Sequence, residues 1–121
     1  AAGIKVALDT GFDRETVDVI LDRLNWTDSA FIDTVITASE VKRGRPYPDM
    51  VFEIMGRLGI EDASLVAKIG DTPSDLEEGT LAGCGWVIGI TSGSHTKEEL
   101  THFQHTHLAE NLAEVYGIFV P

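Results

Sequence analysis

Short apolar runs alternate along the chain with longer stretches in which apolar residues recur at every third or fourth position, and each switch of period falls at a turn-forming residue. The first run, 4–8, carries Ile4, Val6 and Leu8 and predicts a strand that ends in the polar turn Asp9-Thr-Gly11. Asp13 is placed to cap a helix reaching about Asn25 or Trp26, with Val17, Ile20, Leu21 and Leu24 spaced as one buried face. A second strand is predicted over 31–36, where Asp33 and Thr34 give it the character of an edge. Pro48 and Asp49 open a second helix that buries Val51, Phe52, Met55 and Leu58, and Gly59 closes it.

The run 65–69 predicts the next strand, ending at Gly70-Asp71, and Pro73 stands where a helix begins because its missing N–H costs nothing there. That helix has a narrow packing face of Leu76, Thr80 and Ala82 and ends at Gly83. A strand over 86–90 follows, then a polar loop and a capping-box pair, Thr96 with Glu99, for a helix from Lys97 to about Gln104. His107 and Leu108 suggest a last edge strand, and Asn111 with Glu114 caps a helix ending near Phe119. Strands and helices alternate throughout. The predicted class is α/β, a mainly parallel Rossmann-like sheet in three layers with right-handed crossovers.

At 121 residues the chain has the size of one domain, and 43% hydrophobic residues place it among soluble globular proteins. No apolar run has the length of a membrane span, and the first residues carry no signal-peptide pattern, so a cytoplasmic location is the default expectation. The single cysteine, Cys84, has no partner for a disulfide and reads as a small buried filler. The formal charge of −11 repels nucleic acid and anionic lipid, so neither is an expected partner. An anionic substrate must then be drawn in by a local cation. Lys42, Arg43 and Arg45 crowd before a proline-fixed turn, where Pro46 and Pro48 hold Arg45 and Tyr47 extended, and this is where such an anion site is expected.

Asp71 and Asp75 are the second chemical signal. One leaves a strand end and the other lies in the first helical turn, so both are expected to face one point at the carboxyl edge of a parallel strand. Hard anionic oxygens so placed suit Mg²⁺, which takes few carboxylates and completes its octahedron with water and phosphate. The four histidines lie at no metal-ligand spacing, and only His95, in the loop after the 86–90 strand, is a candidate to touch substrate.

Taken together, these turns resemble the haloacid dehalogenase (HAD) superfamily. Val6-Ala-Leu-Asp-Thr-Gly-Phe12 is similar to its second motif, Gly44-Arg-Pro-Tyr-Pro-Asp49 to its third and Gly70-Asp-Thr-Pro-Ser-Asp75 to its fourth. Arginine in place of the commoner lysine in the third motif, with the tail Thr91-Ser-Gly-Ser-His-Thr-Lys-Glu-Glu-Leu100, resembles the phosphonatase-like branch. The resemblance implies a Mg²⁺-dependent hydrolase of small phosphorylated or phosphonate substrates. In it Thr10 and Gly11 bind the phosphoryl group, and Arg45 neutralises nucleophile and phosphate. Asp71 ligates Mg²⁺, and Asp75 holds Arg45 or the metal's waters.

The family's first motif, Asp-x-Asp, supplies the nucleophile and the acid/base, and the pattern Asp-x-Asp-x-Thr/Ser occurs nowhere in this sequence. The cap domain expected between the first and second motifs is also missing. Residues 1–121 are therefore expected to be the C-terminal portion of a HAD-like core domain, without its first, central strand, and to be nearly inactive alone. A natural start at Ala1, after removal of a methionine, is the other reading. Two further functions stay open: a phosphonoacetaldehyde-type C–P hydrolase, whose Schiff-base lysine the family places in the cap, and a non-catalytic phosphate-binding or interaction domain. The oligomeric state is unassigned.

Overall fold

Residues 4–24 and 32–119 are described by a computed structural model, and they form two units, 1–61 and 62–121. The class is α/β with parallel sheets and flanking helices, as predicted.

The first unit pairs β1 (Ala7–Thr10) with β2 (Thr34–Thr37) in parallel, in the register Ala7 to Thr34 and Thr10 to Thr37. Its helices are α1 (Arg14–Arg23) and α2 (Asp49–Leu58). Asp13 caps α1 by accepting from the Thr16 N–H at 2.8 Å, as the sequence predicts. The strand begins at Ala7, later than expected, because the Asp33 carboxylate takes the Val6 N–H at 2.7 Å and closes the ladder there, leaving Ile4 and Val6 exposed. Asp9 and Thr10 consequently sit inside β1, and the turn falls on Gly11 and Phe12. The second strand starts at Thr34; Phe31 and the expected helix end at Asn25 or Trp26 lie outside the described residues.

Helix faces are narrower than their periodicity suggests. On α1 only Val17 and Leu21 are buried while Ile20 and Leu24 are exposed, since a two-stranded sheet covers only part of such a stripe. On α2 Met50, Val51 and Met55 are buried, Leu58 is half-buried, and Phe52 is 49% exposed, so the buried stripe is rotated toward Met50. Gly59, at φ 70°, closes α2 as predicted.

The second unit orders β3 (Ala67–Gly70), β4 (Trp86–Ile90) and β5 (His107–Ala109) as a parallel sheet with β4 central. Successive residues of β4 face opposite layers. Val87 packs with Leu76 of α3 (Pro73–Ala82) and Leu100 of α4 (Lys97–Thr101). Ile88 packs with Ala109 and with Val115 of α5 (Leu112–Phe119), and the Trp86 and Phe119 rings meet edge to face at 5.4 Å. Helices thus cover both faces of this sheet.

Here too some boundaries move. Asp62 accepts from the Ser64 N–H and hydroxyl and winds 63–65 into a 3₁₀ turn, so Leu65 is 70% exposed and the strand starts at Ala67. The Thr96–Glu99 capping box forms, but α4 stops at Thr101 because Phe103 turns into the Leu76, Val87 and Leu100 cluster. Cys84 is half-buried beside that cluster, and Thr80 is also only half-buried. Asn111 caps α5 through the Glu114 N–H at 3.0 Å, as predicted.

Neither β1 nor β3 has a second ladder partner among the described residues. No helix among them is long and apolar enough to cross a membrane.

Candidate functional site

In the first unit, Thr10 ends β1, and its Oγ1 accepts the Phe12 N–H at 3.2 Å. Because a hydroxyl that accepts one bond still has its own proton, Thr10 remains able to donate to an anion. Gly11 follows, with the Arg45 guanidinium against it: a Cβ on Gly11 would lie 3.2 Å from Arg45 Nη2. The absent side chain lets the cation reach the turn after β1. Arg45 itself is exposed, in a turn fixed by the Tyr47 N–H to Gly44 carbonyl bond at 3.0 Å.

Two of the three cations expected to crowd here, Arg43 and Arg45, are engaged differently. The Arg43 N–H and guanidinium both bond to Asp49, and the guanidinium stacks 4.3 Å from the centre of the Tyr47 ring. Arg43 therefore shapes the turn. Arg45 is the cation at Gly11.

A second charged cluster in this unit has no counterpart in the sequence reading. Glu40, just after β2, receives the Arg14 guanidinium and the Thr37 hydroxyl on one oxygen, the latter at 2.8 Å, and Arg57 on the other at 3.1 Å. Both arginines also bond to the Val35 carbonyl, which ties α1 and α2 to β2. Burial raises the Glu40 pKa, but the bonds from Thr37, Arg14 and Arg57 outweigh it and hold the carboxyl at about 2. A folded pKa below the ordinary 4.5 gives stability that is complete above 4.5 and is lost as pH falls toward 2. Glu40→Gln is expected to lower the denaturant midpoint at neutral pH, with the gap to the native chain closing through that window. A gap that stays constant with pH would contradict this account of the cluster.

In the second unit, Asp71 directly follows β3 and is half-buried. Its Oδ2 accepts the Ser94 N–H at 3.2 Å. Asp75 is buried and points elsewhere. Its Oδ2 accepts the Asp71 N–H at 3.1 Å, the Thr72 N–H at 3.1 Å and the Thr72 hydroxyl at 2.9 Å, completing a capping box at the start of α3. Its other oxygen lies 3.6 Å from Lys68 Nζ, and Nζ lies 3.0 Å from Glu78 Oε1. The two aspartates thus divide the work: Asp75 fixes the turn, and Asp71 extends from it toward the 91–96 loop. Within the second unit, Lys68 is the cation beside Asp75.

His95 Nδ1 lies 2.9 Å from Ser94 Oγ, and no group of three or more histidine, cysteine or acidic side chains suited to a metal comes together among the described residues.

A family model for haloacid dehalogenase-like hydrolases matches residues 1–83, a stretch that contains Thr10, Gly11, Arg45, Asp71 and Asp75. The chain belongs to the haloacid dehalogenase-like hydrolase family. Among relatives in this family, the phosphonoacetaldehyde hydrolase of Bacteroides fragilis is 34% identical over 119 residues, covering 95% of this chain and 44% of its own. The phosphonoacetaldehyde hydrolase of Bacillus cereus is 34% identical over 122 residues, covering 98% and 46%. The chain therefore spans about half the length of these curated relatives. Among solved structures, a HAD family hydrolase from Deinococcus radiodurans superposes with a TM-score of 0.84 over 98% of this chain and 52% of that one, at 21% identity. A phosphonoacetaldehyde hydrolase-like protein from Oleispira antarctica gives 0.81 over 96% and 50%, at 22% identity. These superpositions establish a HAD-type fold.

For a HAD-like chain, the donor set present fits Mg²⁺ in part. Asp71 offers one hard carboxylate at a strand end, and this ion takes one or two such groups with water and phosphate. Lys68 and Glu78 are the residues that sequence reasoning passed over. The signal was a charge in the middle of an apolar strand, which burial allows only with a partner.

Proposed function

We propose that residues 1–121 supply the phosphate-binding and metal-binding portion of the core domain of a cytoplasmic, Mg²⁺-dependent hydrolase acting on a small phosphorylated or phosphonate metabolite. The observation that carries this reading is the Arg45 guanidinium lying against the side-chain-free Gly11, next to the Thr10 hydroxyl, at the carboxyl end of β1. A fixed cation and a hydroxyl donor at one turn bind a tetrahedral oxyanion and stabilise charge that develops on it. Thr10 and Gly11 orient the phosphoryl oxygens, and Arg45 neutralises them. In the second unit Asp71 would hold Mg²⁺, with Asp75 setting the turn from which it projects. Mg²⁺, when bound at Asp71, supplies Lewis-acid charge neutralisation. The formal charge of −11 argues against nucleic acid or an anionic membrane as a partner.

The 34% identity to two phosphonoacetaldehyde hydrolases favours one finer reading, cleavage of a C–P bond in a phosphonate aldehyde. Its Schiff-base lysine would come from a cap segment.

The 121-residue chain alone, assayed with Mg²⁺ and p-nitrophenyl phosphate, is expected to read background. Phosphate monoester hydrolysis needs accelerations of up to about 10²¹-fold, and no Asp-x-Asp pair is present to attack phosphorus and protonate the leaving group. Adding a separately expressed segment with an Asp-x-Asp strand should restore turnover. Robust activity from the chain alone, abolished by Asp9→Asn, would make Asp9 the nucleophile and overturn this assignment.

A further inference from the structure

The loop 91–96 is fastened at both ends. Thr91 N–H bonds to the Ala109 carbonyl at 2.9 Å, the Ser92 hydroxyl bonds to the Glu110 carbonyl, and Thr96 closes the capping box of α4. Its middle is pressed against Asp71. A Cβ on Gly93 would lie 2.4 Å from Asp71 Oδ2 and 2.6 Å from Asp71 Cβ, closer than real Cβ contacts come. Ser94 donates its N–H to the same Oδ2 at 3.2 Å and its hydroxyl to the Asp71 carbonyl at 3.4 Å. One oxygen of the carboxylate is therefore held by the loop, and the approach is possible only because Gly93 has no side chain.

We infer that Gly93 and Ser94 are positioning residues for a divalent cation on Asp71: the Ser94 N–H fixes Oδ2, and the carboxylate is thereby oriented to present Oδ1 to the ion. This rests on the proposal that Asp71 is the Mg²⁺ ligand. A carboxylate held by an outer partner loses less rotational freedom when it coordinates, and removing such partners typically weakens metal affinity about 10- to 100-fold. The bond that matters is a backbone one, so residue 94 need not be serine. Position 93 must be glycine.

The experiment uses the ¹⁵N-labelled 121-residue chain titrated with Mn²⁺, a paramagnetic ion that suits the same oxygen ligands as Mg²⁺. In the native chain the Asp71 and Ser94 amide signals should broaden first, excess Mg²⁺ should restore them, and Asp71→Asn should abolish the effect. Gly93→Ala should need about tenfold more Mn²⁺ for the same broadening, because its Cβ forces the loop and the Asp71 carboxylate apart. Ser94→Ala keeps the N–H and should titrate like the native chain. Should Gly93→Ala fail to fold, Ser94→Pro removes the N–H and carries the same expectation. A folded Gly93→Ala chain that titrates like the native one overturns the positioning role and leaves Asp71 as a ligand. A native chain without Asp71-dependent broadening removes Asp71 from the metal and this inference with it.

Discussion

Lys68→Met is expected to destabilise the chain by about 3–5 kcal/mol, the cost of removing one member of a buried charge cluster. Lys68 is 8% exposed in the middle of β3, and its ammonium sits between Asp75 and a Glu78 that is 0% exposed. Methionine fills much of the same volume, so the loss would come from charge, with two buried carboxylates left without the lysine. Lys68→Met combined with Glu78→Met should recover most of it, since Asp75 keeps its three donors from Asp71 and Thr72. Denaturant unfolding of the single and double variants measures both. A single variant within about 1 kcal/mol of the native chain would show that Lys68 does not compensate these acids.

Arg45→Ala should act on chemistry and leave the fold alone. Arg45 is exposed in its turn, and a surface cation contributes about 0–1 kcal/mol, so the melting temperature is expected to be nearly unchanged. In enzyme reconstituted with the Asp-x-Asp segment, turnover should fall by about 2–4 kcal/mol of transition-state stabilisation, the range for one preorganised electrostatic donor. Arg45→Lys should recover part of the loss, because the charge returns without the planar fork. An alanine variant that unfolds yet keeps its turnover per folded molecule would assign Arg45 to structure.

The order and type of elements were legible from the sequence because helix caps and strand runs are local signals: Asp13, Pro73, Thr96 and Asn111 all start helices where their chemistry predicts. Burial was less legible. Periodicity identifies an apolar stripe, but how much of it is covered depends on the sheet beneath, which leaves Ile20, Leu24 and Phe52 in solvent. Strand starts were misjudged wherever a carboxylate intercepts the backbone, as Asp33 does at Val6 and Asp62 at Ser64. At the site, Thr10, Gly11 and Arg45 gather at one turn, and their roles rest on motif spacing as well as on that geometry. The separate tasks of Asp71 and Asp75 were hidden. A four-residue spacing fixes their separation along the chain, whereas the direction of each carboxylate is set by Lys68, Thr72 and Ser94, two of them distant in sequence or on another element.

The most direct measurement is a Mg²⁺ titration of turnover in the reconstituted enzyme, with native chain and Asp71→Asn side by side. If Asp71 is the ligand through which this chain engages the metal, the asparagine variant needs more Mg²⁺ for half-maximal rate and also turns over more slowly at saturation, because the neutral amide binds the ion more weakly and neutralises it less. An Asp71→Asn enzyme with the metal dependence and rate of the native one would remove Asp71 from the site and contradict the account.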